Sequence, residues 1–209
     1  MSSRFATERH LAIDPDNKFL WRMNRRRLEA EALWDAVHAT AGTINLKMGG
    51  RPVVPPLAED EIAALREKWQ WPITADPAEH TRRGLYILVL RNFRFPMFEV
   101  FDAPVTSTSC PQRDVTTVAP QALWTLNSPS VYRQAEQLAA RVSKEAGGEP
   151  DEFVAHLWQI ALGRPITEQE QAEAIALLES FKTELEADQS ALAKVCLAVY
   201  NLNEFAFVD

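Results

Sequence analysis

Cysteine and glycine are scarce in this chain, and no long apolar run is present. Its two cysteines, Cys110 and Cys196, are too few for a disulfide framework or a four-cysteine zinc site. Its seven glycines form neither a phosphate-cradling loop nor a G-x-G-x-x-G turn. No apolar stretch approaches the roughly 18–20 residues of a membrane span, and MSSRFATERHLAID at the N-terminus has no apolar core for a signal peptide. H-E-x-x-H, G-x-S-x-G and C-x-x-C-H are likewise missing. His10, His38, His80 and His156 have no spacing that suggests a shared metal, so the sequence predicts neither metal nor cofactor for this chain.

What remains is 209 residues with 46% hydrophobic and 24% charged residues, the composition of a single soluble globular domain. The charge is polarised. Residues 1–113 carry 16 Lys+Arg against 14 Asp+Glu, while residues 114–209 carry 6 against 15, which gives the net −7. A general nucleic-acid binder needs a basic surface, so nucleic acid is excluded as a main partner.

Proline sets the organisation. Ten of the 13 prolines lie between Pro52 and Pro129, so the middle third should be irregular and both flanks helical. The predicted fold is mainly α: a long central helix within 14–48, an irregular segment over 49–118 with one or two short strands, and a helical bundle over 119–209. The first helix is expected from about Asp16 to Ala41, with Phe19, Met23, Ala30, Leu33, Trp34 and Val37 on one stripe and Trp21, Leu28 and Ala32 opposite. A short helix is expected over Glu59–Trp69, with strands at Gly84–Leu90 and Met97–Phe101. From Pro120 onward the stops are explicit: Asn127-Ser128-Pro129, Gly147-Gly148, and Gly163 with Pro165. Thr167 and Glu170 form a capping box that opens a helix to about Ala187, and Ser190–Leu202 is the last helix.

Arg26 is the most informative charge, because it falls inside the first helix's apolar stripe. A buried guanidinium needs a partner, and Asp102 and Glu204 are the candidates. Either it ties the central helix to the irregular segment or it grips an anionic ligand. Arg25 with Glu29 and Arg27 with Glu31 read as i, i+4 pairs, worth about 0.3 kcal/mol each. Arg82, Arg83, Arg91, Arg94 and Arg113, with Asp102 and Asp114, populate the irregular middle. They form structural ion pairs or an anion pocket. Cys110 lies in a polar loop, as a plain or a reactive thiol, and an oxidising compartment would let it pair with Cys196. Trp69 and Trp71 in KWQWP are either core or the aromatic anchors of an interface.

Five ordered motifs carry a family resemblance: DPDNKFLWRMNRRRLEAEALWDAV (14–37), RRGLYILVLRNFRFPMFEVFDAP (82–104), TSCPQRDVTTVAPQALWTLNSP (108–129), ALGRPITEQE (161–170) and NLNEFAFVD (201–209). Together they resemble domain of unknown function 1553, a family of planctomycetes and related bacteria. Members typically form the C-terminal part of large exported proteins, behind a cytochrome-type haem module and a second uncharacterised domain. The resemblance implies a C-terminal piece or a short stand-alone member, placed in the periplasm, at the cell surface or outside the cell. Haem would sit only on a preceding module, and the partners would be other domains of the same or neighbouring exported proteins. Motif positions able to form a site are Arg26, Glu29, Arg83, Asp102, Arg113, Gln121 and Asn127. The first expectation is a non-catalytic interaction or structural module. The second is a binding or hydrolytic domain for acidic (sulfated or carboxylated) polysaccharide. That reading requires Arg83, Arg113 and Asp102 to converge on one open pocket, with Gln121 or Asn127 adding neutral hydrogen bonds.

Overall fold

The computed structural model describes residues 7–63, 71–91, 93–147, 149–185 and 188–208. Among the described residues the fold is mainly α, with one two-stranded sheet. The expected first helix is not continuous. A short helix α1 (Glu8–Ile13) is followed by turns, and the chain becomes helical again only at α2 (Ala30–Ala41). Local side chains out-compete the helix. The Asp14 carboxylate accepts from Lys18 N at 2.8 Å and Phe19 N at 2.7 Å, and Asn17 Oδ1 accepts from Arg22 N. Asn17 and Leu20 take left-handed backbone angles, which a helix does not allow. Phe19 and Met23 are therefore exposed rather than in the stripe, while Leu33, Trp34 and Val37 of α2 are buried as expected.

Between the turns and α2, Arg26–Arg27 form β1, antiparallel to β2 (Phe207–Val208), with Arg27 opposite Phe207. The chain's last residues are thus stitched to the entrance of α2. Beyond Gly42, whose left-handed φ of 75° closes α2, the middle segment is irregular. Its α3 (Glu59–Ala63) begins the expected 59–69 helix, and the remainder, Trp69 included, lies outside the described residues. Trp71 is core: it is buried beside Phe93 and Phe95 and donates Nε1–H to Pro55 O at 2.7 Å.

Both expected strands of the middle segment are corrected. Gly84–Tyr86 is a 3-10 turn, and among the described residues the run after it pairs through a single bridge, Val53 with Ile87. Met97–Phe101 falls on α4 (Pro96–Val100), because Pro96 favours the first helical turn. Glycine is required at position 84. A Cβ there would lie 2.8 Å from both Cα and O of Glu31, so only Gly lets this turn seat against α2.

The C-terminal half follows its sequence closely. Helix α5 (Ala119–Asn127) gives way at Ser128 to α6 (Pro129–Ala146), whose Val131, Ala135, Leu138, Ala139 and Val142 are buried. Helix α7 (Pro150–Leu162) stops at left-handed Gly163, and the Thr167–Glu170 capping box opens α8 (Glu168–Glu184). Helix α9 (Asp188–Tyr200) is the innermost, packed along α6 and α8, and α10 (Asn203–Ala206) leads into β2. Cys196 is buried on α9 and Cys110 is exposed, both free, so the conditional pairing is not formed.

Candidate functional site

Strand alternation decides which arginine is buried. In a helix Arg26 would face the core. In β1 adjacent residues point to opposite sides, and Arg27 turns inward instead. The Arg26 side chain is 71% exposed, 3.7 Å from Glu29. Arg27 is buried, with Nη2 2.6 Å from Asp102 Oδ2, and it also donates to the carbonyls of Thr116, Leu28 and Phe101. Asp102 was the correct carboxylate with the wrong arginine. Glu204, the other candidate, binds Arg164 together with Glu170.

Asp102 sits at a left-handed φ of 60° and is the hub of a closed network. It accepts from Thr116 N at 2.8 Å and from Thr116 Oγ1 at 2.9 Å, and Gln121 Nε2 lies 3.5 Å away. Burial pushes its carboxyl up, but Thr116 and the Arg27 guanidinium outweigh that and hold it below the usual carboxylate range. Beside the hub, Arg113 forks onto Glu31 at 2.7 and 3.1 Å and reaches Glu29 at 3.2 Å. The Glu31 hydrogen bond raises the arginine further. The expected i, i+4 pairs of Glu29 and Glu31 need a helix through residues 25–31; here both carboxylates meet Arg113.

Arg26, Glu29, Asp102 and Arg113 line one cavity of about 480 Å³, and Gln121 touches its Asp102 edge. Arg83 and Asn127 are elsewhere. Arg83 binds Asp35 at 2.8 Å, next to Gly84 N on the same carboxylate, and Asn127 donates back to Leu123 O of its own helix. Each charged candidate in the cavity already has a counter-charge from the chain, so the arrangement is a clamp that ties loops to α2.

Sequence reasoning passed over His38 except as a metal ligand. It is buried on the apolar face of α2, four residues after Trp34, with the two rings 4.0 Å apart and Nδ1 2.9 Å from Trp34 O. Burial pushes its pKa down to about 4, so the imidazole is neutral. A histidine on an apolar stripe one turn beyond a tryptophan was the available signal. The arginine of ALGRPITEQE was also missed: Arg164 bridges Glu170 and Glu204, and its hydrogen bonds bring the Glu170 carboxyl to about 2. Among the described residues no group of three or more His, Cys, Asp or Glu is placed to hold a metal ion. No described helix is long and apolar enough to cross a membrane.

Residues 1–178 match the family model PSD1, protein of unknown function (DUF1553). The match includes every candidate site residue and stops short of the closing NLNEFAFVD motif. No curated protein and no solved structure matches the chain. Since the matched residues make up most of its length, the chain belongs to the DUF1553 family of unknown function.

Proposed function

We propose that this chain is a non-catalytic interaction module of a larger exported protein, docking on other domains of the same or a neighbouring polypeptide. One observation carries the reading: the turns before β1 are pinned by the hydrogen bonds of buried side chains, yet they display apolar side chains. Asp14 and Asn17 are buried and hold the loop through hydrogen bonds to Lys18, Phe19, Arg22 and Asn24, and Trp21 Nε1 donates to Asp14 O. This scaffold leaves Phe19 80% exposed and Leu20 71% exposed, the latter at a strained φ of 54°, with Ile13 and Met23 exposed nearby. Strain and exposed apolar surface are both unfavourable in isolation, and a covering partner relieves the second. Export and multidomain context come from the family resemblance.

The acidic-polysaccharide reading loses its premise. Arg83 does not reach the cavity, and Arg113 and Asp102 are held by Glu31 and Arg27. The test of the module reading is photo-crosslinking in the producing bacterium, with a benzophenone amino acid placed at Phe19 and, as control, at exposed Glu173 on α8. A discrete adduct with another envelope protein or domain, formed from position 19 only, is expected. Equal, diffuse labelling from both positions would overturn the reading.

A further inference from the structure

A second cleft lies away from the clamp, between α2, the prolines of the middle segment and α6. Its volume is about 390 Å³, within the range of small-molecule sites. Trp34 and His38 contribute from α2, and Pro55, Pro56 and Pro77 supply saturated rings. From α6 come Ser130 and Gln134, which also share a water-sized recess of about 10 Å³ with His38.

The polar atoms of this recess are set by their other bonds. Trp34 O can only accept, so His38 Nδ1 carries the hydrogen and Nε2 keeps its lone pair. His38 is 5% exposed, and among the described residues nothing donates to that Nε2. Gln134 Oε1 accepts from Thr43 Oγ1 at 2.6 Å, which leaves its Nε2 hydrogens unused among the described residues. Ser130 Oγ is 2.8 Å from Ser128 Oγ and can both donate and accept. An acceptor, an amide donor and a hydroxyl therefore converge. At the rim, Arg133 and Glu136 cancel in charge.

We propose that this cleft binds a neutral, hydroxyl-rich ligand of sugar-ring size, one hydroxyl donating to His38 Nε2, a neighbouring oxygen accepting from Gln134 Nε2 and the Ser130 hydroxyl bonding to one of the two. Vicinal hydroxyls match the donor–acceptor alternation of the floor, and the C–H faces of a pyranose fit the proline and tryptophan walls. A peptide strand would need a row of backbone groups, and the polar groups at this floor are side chains. The inference stands independently of the interaction-module reading.

The experiment is NMR titration of the full chain, following the His38 ring and Gln134 side-chain amide signals. The probes are glucose, galactose, mannose and N-acetylglucosamine, with glucuronate and a short proline-rich peptide as controls. At least one neutral sugar should shift both signals saturably. Gln134→Leu and Ser130→Ala should each weaken that sugar by about three- to tenfold, the worth of one neutral hydrogen bond. If Gln134→Leu does not fold, Ser130→Ala decides alone. Arg133→Gln at the rim should leave binding within about twofold, because a neutral ligand gains little from a solvated charge. The proposal is overturned if no neutral sugar moves the two signals, if binding read at the His38 ring is undiminished in folded Gln134→Leu and Ser130→Ala, or if only glucuronate or the peptide binds.

Discussion

The two halves of the molecule are held together by different physics. From α5 to α9 the helices satisfy their own backbone, and stability comes from apolar faces such as Val131, Leu138 and Val142 on α6 packing along α9. Between Gly42 and Val118 the prolines prevent regular ladders, and guanidinium groups take over the backbone's unmet bonds. Arg82 is the extreme case. It is 1% exposed, it donates to the carbonyls of Lys47, Gly49 and Arg51, and its guanidinium lies 3.9 Å from the centre of the Tyr86 ring. Arg27 does the same for Thr116, Leu28 and Phe101. An irregular segment can be as well determined as a helix bundle, provided its orphan carbonyls find a multi-donor side chain.

The largest effect should come from removing that donor. Arg82→Met should destabilise by about 3–5 kcal/mol in urea unfolding, because three part-buried carbonyls lose a charged donor and Glu79 loses a cation, while most of the packing volume is kept. A loss below about 1 kcal/mol would mean the middle segment is held by its apolar contacts after all. Leu138→Ala is the matching cut in the helical half, expected at about 2–5 kcal/mol from transfer and cavity terms. Its effect should be insensitive to salt.

Acid sets α2 apart from the C-terminal helices. His38 ordinarily titrates near 6.5 and here near 4, so the unfolded chain takes up its proton first. Its contribution is fully present above pH 6.5 and is lost as the pH falls from 6.5 to 4, on the order of 3 kcal/mol. Glu170 moves from 4.5 to about 2, so its contribution is complete above 4.5 and declines only below that. Melting temperature against pH should therefore fall in two stages. His38→Gln should flatten the upper stage and Glu170→Gln should reduce the lower, to which Asp102 and Glu145 also contribute; a single stage left unchanged by His38→Gln would contradict the buried neutral imidazole.

Smaller effects sharpen the contrast. Gly84→Ala should cost about 1–3 kcal/mol, since its Cβ must push the 3-10 turn away from Glu31. Phe19→Ser should change stability by less than about 0.5 kcal/mol, because that side chain is exposed. A thermal melt showing a loss of several degrees for Phe19→Ser would place Phe19 in the core and remove the basis of the interaction reading.

How much was legible in the sequence differs along the same division. In the C-terminal half, boundaries such as Ser128-Pro129, Gly163 and Thr167–Glu170 were correct within two or three residues, since caps and periodicity act locally. In the N-terminal half the apolar pattern over 16–29 resembled a helix, and Asp14 and Asn17 overrode it with side-chain bonds to the backbone. That one override displaced the site by a residue. It exchanged Arg26 for Arg27, exposed Phe19 and Met23, and sent Glu29 and Glu31 to Arg113.

The sequence by itself determined a mainly α chain with a proline-broken middle and the helix register of its C-terminal half. Those features rest on short-range signals that are complete within a few helix turns. Tertiary structure alone decided the rest. Arg27 faces inward because β1 pairs with β2 from the far end of the chain. Arg113 closes on α2 across some eighty residues, and Ser130 and Gln134 meet His38 because α2 packs on α6. Such contacts depend on which surfaces are brought together by packing, and local sequence periodicity carries no record of that.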